Sequence, residues 1–175
     1  MNQAQGKIDN TVVSLHAGSG RSESVNRIWD LLEQVKDPEI PVLSLRDLGV
    51  LRDIESCDDK IVVTITPTYS GCPAMDVMRD DIVGVLNEHG YENVEVRTVL
   101  SPAWTTDWMS AEGKSKLEEF GIAPPSGLAA VNKPERCPRC ASKQTTLISE
   151  YGSTACKAMY QCEDCKENFC YFKVI

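Results

Sequence analysis

The chain has 175 residues, enough for one ordinary domain and a small appendage, and its 42% hydrophobic content is that of a folded globular protein. No apolar run is long enough to span a membrane, and the N-terminus lacks the charged-then-apolar layout of a signal peptide, so a reduced, cytoplasmic setting is expected. The net charge of −8 is unevenly spread: residues 133–175 hold seven Lys/Arg against five Asp/Glu, leaving eleven against twenty-one in residues 1–132. An acidic main domain argues against a nucleic-acid groove and favours a protein partner.

Residues 1–22 mix Gln, Asn, Gly and Ser without a sustained period and read as a mobile leader. Its run Gly18-Ser19-Gly20-Arg21-Ser22 lacks the spacing and lysine of a phosphate-binding loop. With Ser24 as N-cap, Val25, Ile28, Leu31, Leu32 and Val35 recur at helical spacing until Asp37-Pro38 stops the pattern. Next come Asp37-Pro38-Glu39-Ile40-Pro41 and Asp47-Leu48-Gly49. Prolines on either side of Glu39 stiffen the backbone, and a stiff acidic loop can ligate a metal or fix a partner. From spacing alone, helix termination and turn chemistry explain these carboxylates more simply.

Gly49 to Ser56 and Lys60 to Thr66 are strand-like and joined by the turn residues Cys57-Asp58-Asp59, which predicts a hairpin. The second strand runs into Thr66-Pro67-Thr68-Tyr69-Ser70-Gly71-Cys72-Pro73, and a second helix follows with Met75, Met78, Ile82, Val85 and Leu86 as its apolar stripe and Gly90 as its stop. Taking Pro73 as the first helical residue makes Cys72 the N-cap, its sulfur facing unpaired N–H groups and the positive end of the helix dipole. A favoured thiolate is therefore expected, and Cys72 becomes a candidate metal ligand, cluster ligand or nucleophile; a buried structural thiol is the plain alternative. His16 lies in the leader and His89 at the far end of the helix, which argues against a Cys–His hydrolase. Cys57 is the one thiol placed to resolve a disulfide with Cys72.

Alternating Val94, Val96, Thr98 and Leu100 predict a third strand, and a short helix is expected over 111–120. Trp104, Trp108 and Met109 between them suit either core packing or an exposed docking patch. The order helix, hairpin, helix, strand specifies an α+β fold, a small sandwich of helices on one sheet face over residues 23–120, followed by a Pro/Gly linker over 121–133. Residues 134–175 hold two pairs, Cys137-Pro138-Arg139-Cys140 and Cys162-Glu163-Asp164-Cys165, whose tight turns can aim four thiolates at one tetrahedral metal. Strand-like Thr145 to Ile148 and Phe169 to Phe172, with a break at Gly152-Ser153, complete a zinc ribbon. Structural zinc is expected because so short a segment buries too little apolar surface to fold alone. Redox dithiols, iron or a cluster, and disulfides remain as other uses of these four cysteines, although no helical pattern follows either pair and nothing points to secretion. Cys156 and Cys170 are spare, small buried hydrophobes in the plain reading, with Cys156 as a possible exchange ligand for the metal.

The acidic loop, Asp47-Leu48-Gly49, the β-branched strand, Gly71-Cys72-Pro73 and the following helix together resemble the small domain of the iron–sulfur assembly factors that includes SufT. Ser101-Pro102-Ala103-Trp104-Thr105-Thr106-Asp107-Trp108, Gly121-Ile122-Ala123-Pro124-Pro125 and a ribbon containing Gly152-Ser153-Thr154-Ala155-Cys156-Lys157 are similar to one branch of that family, which accompanies the bacterial phenylacetyl-CoA monooxygenase. The resemblance implies a non-catalytic maturation factor that helps deliver an iron–sulfur cluster, or iron, to that oxygenase in aerobic phenylacetate degradation. Its oxygenase and reductase components and the cluster-assembly machinery are the implied partners. The resemblance also implies that Cys72 is the functional thiol and that Asp37 and Glu39 lie close to it. A cluster takes four ligands, so one thiol implies a transient site completed by a partner, a small thiol or a second copy in a homodimer. A structural bridging subunit of the oxygenase, a zinc-ribbon module for nucleic acid or the transcription machinery, and a thiol enzyme are the competing classes.

Overall fold

The computed structural model describes residues 22–57, 59–126 and 133–175. The expected leader over 1–22 lies almost wholly outside them, as do residues 127–132 of the expected linker. The first helix, α1 (Glu23–Leu31), is capped by Ser22 rather than Ser24: the Ser22 hydroxyl accepts from the Val25 amide at 3.4 Å. Ser22 is extended, as an N-cap must be, whereas Ser24 already lies inside the first turn. A 3₁₀ turn over Leu32–Gln34 continues the apolar stripe to Val35.

The hairpin forms as expected, β1 (Leu51–Cys57) antiparallel to β2 (Lys60–Ile65), and β2 leads through α2 (Met75–Glu88) to β3 (Val94–Thr98), which pairs parallel to β2. Sheet order is therefore β1-β2-β3, with the β-branched strand in the middle. α1 packs on β1, α2 on β3, and the helices touch each other, so both cover one sheet face. Ile28, Ile82, Leu86, Val63 and Ile65 are fully buried between them. Leu100, expected to extend the β3 alternation, lies beyond the strand and is exposed.

The stretch between α1 and β1 is irregular yet buried, and Asp47 organises it. Its carboxylate accepts from the Ser44 amide at 3.0 Å, the Ser110 hydroxyl at 3.1 Å and the Lys116 ammonium at 2.9 Å. These bonds outweigh the cost of burial and hold its carboxyl below the usual range. Gly49 is at φ +69°, and a Cβ there would lie 2.5 Å from the Trp108 carbonyl oxygen, so only glycine fits. Trp104 and Met109 are core residues; the Trp104 indole donates to the Leu48 carbonyl at 2.9 Å. Trp108 is partly buried with the Arg52 guanidinium 3.5 Å from its ring centroid, so packing is the role the structure gives these side chains.

A 3₁₀ turn over Thr106–Trp108 precedes α3 (Ala111–Glu119), and the chain then enters a second sheet. Here the linker expectation needs correction: Ile122–Ala123, at its start, form β4, buried and paired in parallel with β7 (Asn168–Phe172). β5 (Thr145–Ser149) and β6 (Lys157–Cys162) complete the order β4-β7-β6-β5. The two sheets share a core: Ile122 and Phe172 belong to the cluster that contains α1 and α2, and the Phe172 ring stands 6.1 Å from that of Trp104 at 58°. The Arg136–Glu118 ion pair lies at the same junction. Among the described residues, no helix is long and apolar enough to cross a membrane.

Candidate functional site

Two sites emerge. In the ribbon, Cys137, Cys140, Cys162 and Cys165 present sulfurs that all lie within 4.8 Å of one another, with Cys140–Cys162 at 3.5 Å and Cys137–Cys165 at 3.9 Å. Zn–S bonds of about 2.3 Å in a tetrahedron give S–S edges of roughly 3.8 Å, so the four thiols already outline a zinc site. The two turns are built alike. Cys137 N–H donates to Ser142 O and Ala141 N–H to Cys137 O; Cys162 N–H donates to Glu167 O and Lys166 N–H to Cys162 O. Ala141 (φ 60°) and Lys166 (φ 63°) adopt the left-handed conformation one residue past the second cysteine of each pair. The backbone N–H groups of Cys165 and Asp164 bring Cys162 down to about 7, preparing an anionic ligand. Bound zinc would cross-link the turn before β5 to the turn between β6 and β7, the structural role expected of it.

The second site lies where the ribbon meets the α+β domain. Asp37, at the end of the first apolar stripe, is buried; its Oδ1 accepts from the amides of Ile40 at 2.7 Å and Glu39 at 2.9 Å. This Asx turn, as much as the prolines, stiffens the acidic loop. Burial raises the Asp37 carboxyl above its usual value, Glu39 adds to the rise, and the two amides and Lys157 offset part of it. Cys72 is half-buried on the loop from β2 to α2 and, together with Asp37 and the exposed Glu39, lines a cavity of about 20 Å³. The expected proximity of Cys72 to both carboxylates is therefore present.

The expected thiolate is not. Regular α2 begins at Met75, because Pro73 and Ala74 first form a turn, and Ala74 rather than Cys72 takes the cap position. Burial raises the Cys72 thiol, and the charges of Asp37, Cys156 and Glu39 add to the rise; the one opposing contact is the Ala74 amide. Cys72 therefore rests as a neutral thiol in acidic surroundings.

Cys57 is exposed at the turn end of the hairpin, paired with Lys60, while Cys72 follows the opposite end. A six-residue ladder of roughly 20 Å separates these ends, so Cys57 is no resolving partner. His89 sits at the end of α2, its Nδ1 2.8 Å from the Val85 carbonyl oxygen. Cys170 is in mid-sheet with its sulfur 3.5 Å from Met159 Sδ. Cys156 is the residue whose place the sequence concealed: the ribbon carries it to the cavity of Cys72, Asp37 and Glu39. Thr154 lies there too, its hydroxyl 3.0 Å from the Cys156 sulfur. The one available signal was its neighbour Lys157, a charged residue within a strand-like run, which is buried here.

The architecture is thus a two-helix, three-stranded α+β domain with a loop thiol over an acidic turn, fused to a four-cysteine ribbon of zinc-site geometry. Residues 26–98 match the model of the iron–sulfur cluster assembly proteins, and residues 122–173 match that of the PaaD zinc beta ribbon domain. An Escherichia coli K12 protein named as a component of 1,2-phenylacetyl-CoA epoxidase is 51% identical over 154 residues, 86% of this chain and 93% of that protein. The chain belongs to the PaaD family. An Fe-S protein maturation auxiliary factor of Porphyromonas gingivalis is 35% identical over 89 residues, 50% of this chain and 84% of that one. In fold, a crystal structure of a DUF59 domain from Bacillus anthracis matches with a TM-score of 0.50 at 31% identity, covering 53% of this chain and 90% of that domain.

Proposed function

We propose that this chain is a non-catalytic maturation factor that hands iron, or an iron–sulfur cluster, to a component of a phenylacetyl-CoA epoxidase. Cys72 holds the cargo, Asp37 and Glu39 attract and position it, and Cys137, Cys140, Cys162 and Cys165 hold a structural zinc. The observation that carries this reading is the convergence of Cys72, Asp37 and Glu39, from two separate loops, on one cavity at the surface of the assembly-type domain. A neutral, half-buried thiol beside two carboxylates gives up its proton when a cation arrives, and carboxylates that disfavour a bare thiolate become favourable once the positive charge is present. Family membership adds support: the relatives matched over the first domain are named maturation auxiliary factors, and the relative matched over nearly its whole length is named as part of an epoxidase. The oxygenase and reductase components and the assembly machinery are the partners on this reading, in the cytoplasm.

The test is to co-express the epoxidase components with wild-type chain, with Cys72→Ser, or with neither, and to measure iron and acid-labile sulfide in the purified reductase component. Cys72→Ser should lower the cluster content to that seen without the chain. Full cluster content with Cys72→Ser bound in the complex would overturn the proposal in favour of a structural bridging subunit.

A further inference from the structure

The ribbon sheet ends in an open edge. In the order β4-β7-β6-β5 no strand follows β5 among the described residues, so its outer row of backbone N–H and C=O groups has no sheet partner. Thr145-Thr146-Leu147-Ile148-Ser149 holds neither a proline nor a charged side chain, two of the usual guards against strand addition. The register to β6 shifts between Leu147 and Ser149, and this bulge at Ile148 breaks the alternation: two adjacent apolar residues are both exposed, Leu147 at 45% and Ile148 at 53%. Tyr151 follows at 66%, its ring 4.8 Å from the Lys173 ammonium, which also donates to the Glu150 carbonyl at 3.1 Å. Of the seven large apolar side chains exposed among the described residues, three therefore fall within residues 147–151, while Val77, Leu100, Phe120 and Ile175 are scattered. Single exposed apolar residues are ordinary; a group of them on an open edge marks an interface.

We infer that the β5 edge docks an extended segment of an epoxidase component, which joins the sheet as a fifth strand and lays apolar side chains on Leu147, Ile148 and Tyr151. This rests on the reading of the chain as a maturation factor for that enzyme and names the surface that selects the client. Location supports it: β5 lies in the part matched to the PaaD ribbon, residues 122–173, and outside residues 26–98, which match the cluster assembly proteins in general. Charge sets the partner's chemistry. The ribbon holds seven Lys/Arg against five Asp/Glu over residues 133–175, the reverse of the acidic first domain. Beside the edge, Glu163 is engaged by the Thr146 hydroxyl and by Lys166 at 3.6 Å, which leaves Glu150 against Lys143 and Lys173, neither in an ion pair among the described residues. An apolar strand carrying an acidic residue at its end fits these neighbours. Backbone bonds supply affinity and alternate side chains supply specificity, and because the bulge limits the ladder to a few residues, the apolar anchors matter most. Three residues beyond Tyr151, at most about 11 Å along the chain, Thr154 lines the cavity of Cys72, so a docked client is held by the segment that walls the cargo site.

The experiment titrates the full chain, reduced and with its ribbon zinc in place, with the purified reductase and oxygenase components of the epoxidase. Wild type, the double variant Leu147→Glu/Ile148→Glu, Tyr151→Ala and the control Leu100→Glu are compared, and zinc analysis of each verifies that the ribbon remains folded. One component should bind the wild type, the double variant should bind it about 100-fold more weakly and Tyr151→Ala about tenfold, at roughly tenfold for each anchor lost. Leu100→Glu, an exposed apolar residue of the first domain, should stay within about twofold of wild type. Amide hydrogen exchange of residues 145–149 should slow in the complex, as an added strand requires. Unchanged affinity of the folded variants, or β5 amides left unprotected in the complex, would overturn the docking surface while the cargo role of Cys72, read separately from cluster content, still stands. A wild-type dimer that the double variant splits, with client affinity unchanged, would overturn it in favour of a second copy on the edge. No binding of wild type to either component would overturn both the surface and the reading on which it rests.

Discussion

Replacing Phe172 with alanine tests whether the ribbon is an appendage or a part of the assembly domain. Phe172 ends the last ribbon strand, is 1% exposed, packs on Trp104 and belongs to the core that contains α1 and α2. Removing a buried phenylalanine ring costs about 3–5 kcal/mol through lost transfer energy and the remaining cavity, a large fraction of the roughly 5–15 kcal/mol by which domains are stable. With a urea dependence of about 2 kcal/mol per molar, the midpoint should fall by about 2 M. The assay is urea unfolding followed in parallel by tryptophan fluorescence, which reports on Trp29, Trp104 and Trp108, and by release of zinc to a coloured chelator. Both transitions should move together. A loss below about 1 kcal/mol, or fluorescence and zinc curves that separate in the wild type, would refute a shared core.

The pH dependence follows from Asp37. Its folded carboxyl is raised by burial, so the stability tied to this group is present below the unfolded value and is lost as pH rises through the folded one. Asp37→Asn keeps an oxygen for the Ile40 and Glu39 amides and removes the buried charge; it should raise Tm at pH 7 while weakening iron binding, and a Tm at or below wild type would refute the argument. Gly49→Ala should cost about 3 kcal/mol, combining left-handed strain with overlap against Trp108, as read from the urea midpoint; a change under about 1 kcal/mol would show that the loop yields. Cys140→Ser should abolish the roughly one zinc per chain and, with it, the circular dichroism of β5–β7; full zinc content by elemental analysis would mean that the metal is held elsewhere.

The hairpin, α2 and β3 were legible because their apolar residues repeat at a single period, and the ribbon because two C-x-x-C pairs have few other uses. β6 was harder to see. Its buried Ala158, Tyr160 and Cys162 include one small residue and one metal ligand, and Lys157 is buried beside them only because the ribbon packs on the other domain. The same docking explains the misjudged thiol. Local sequence placed a helix start after Cys72, but burial of the sulfur, together with the charges of Asp37 and Glu39 upstream and Cys156 far downstream, raises the thiol, and the regular helix begins only three residues later. Asp37 and Glu39 suggested a stiff acidic turn; that the turn lies close to Cys72 followed from the family resemblance and not from their spacing.

The mixed core also has a consequence for synthesis. Translation delivers α1, both hairpin strands, α2 and β3 first, yet the hydrophobic space they enclose is not closed until Ile122 and Phe172 arrive on β4 and β7. Those two strands pair in parallel, a connection that forms only after the intervening ribbon has emerged. Closure of that shared core therefore comes last in synthesis, and metal capture by the two cysteine turns would favour it by ordering the strand that carries Phe172. In a cell short of zinc, Cys72 and the acidic turn would keep their places in the first domain, while the side of their cavity lined by Thr154, Cys156 and Phe172 would stand open to solvent.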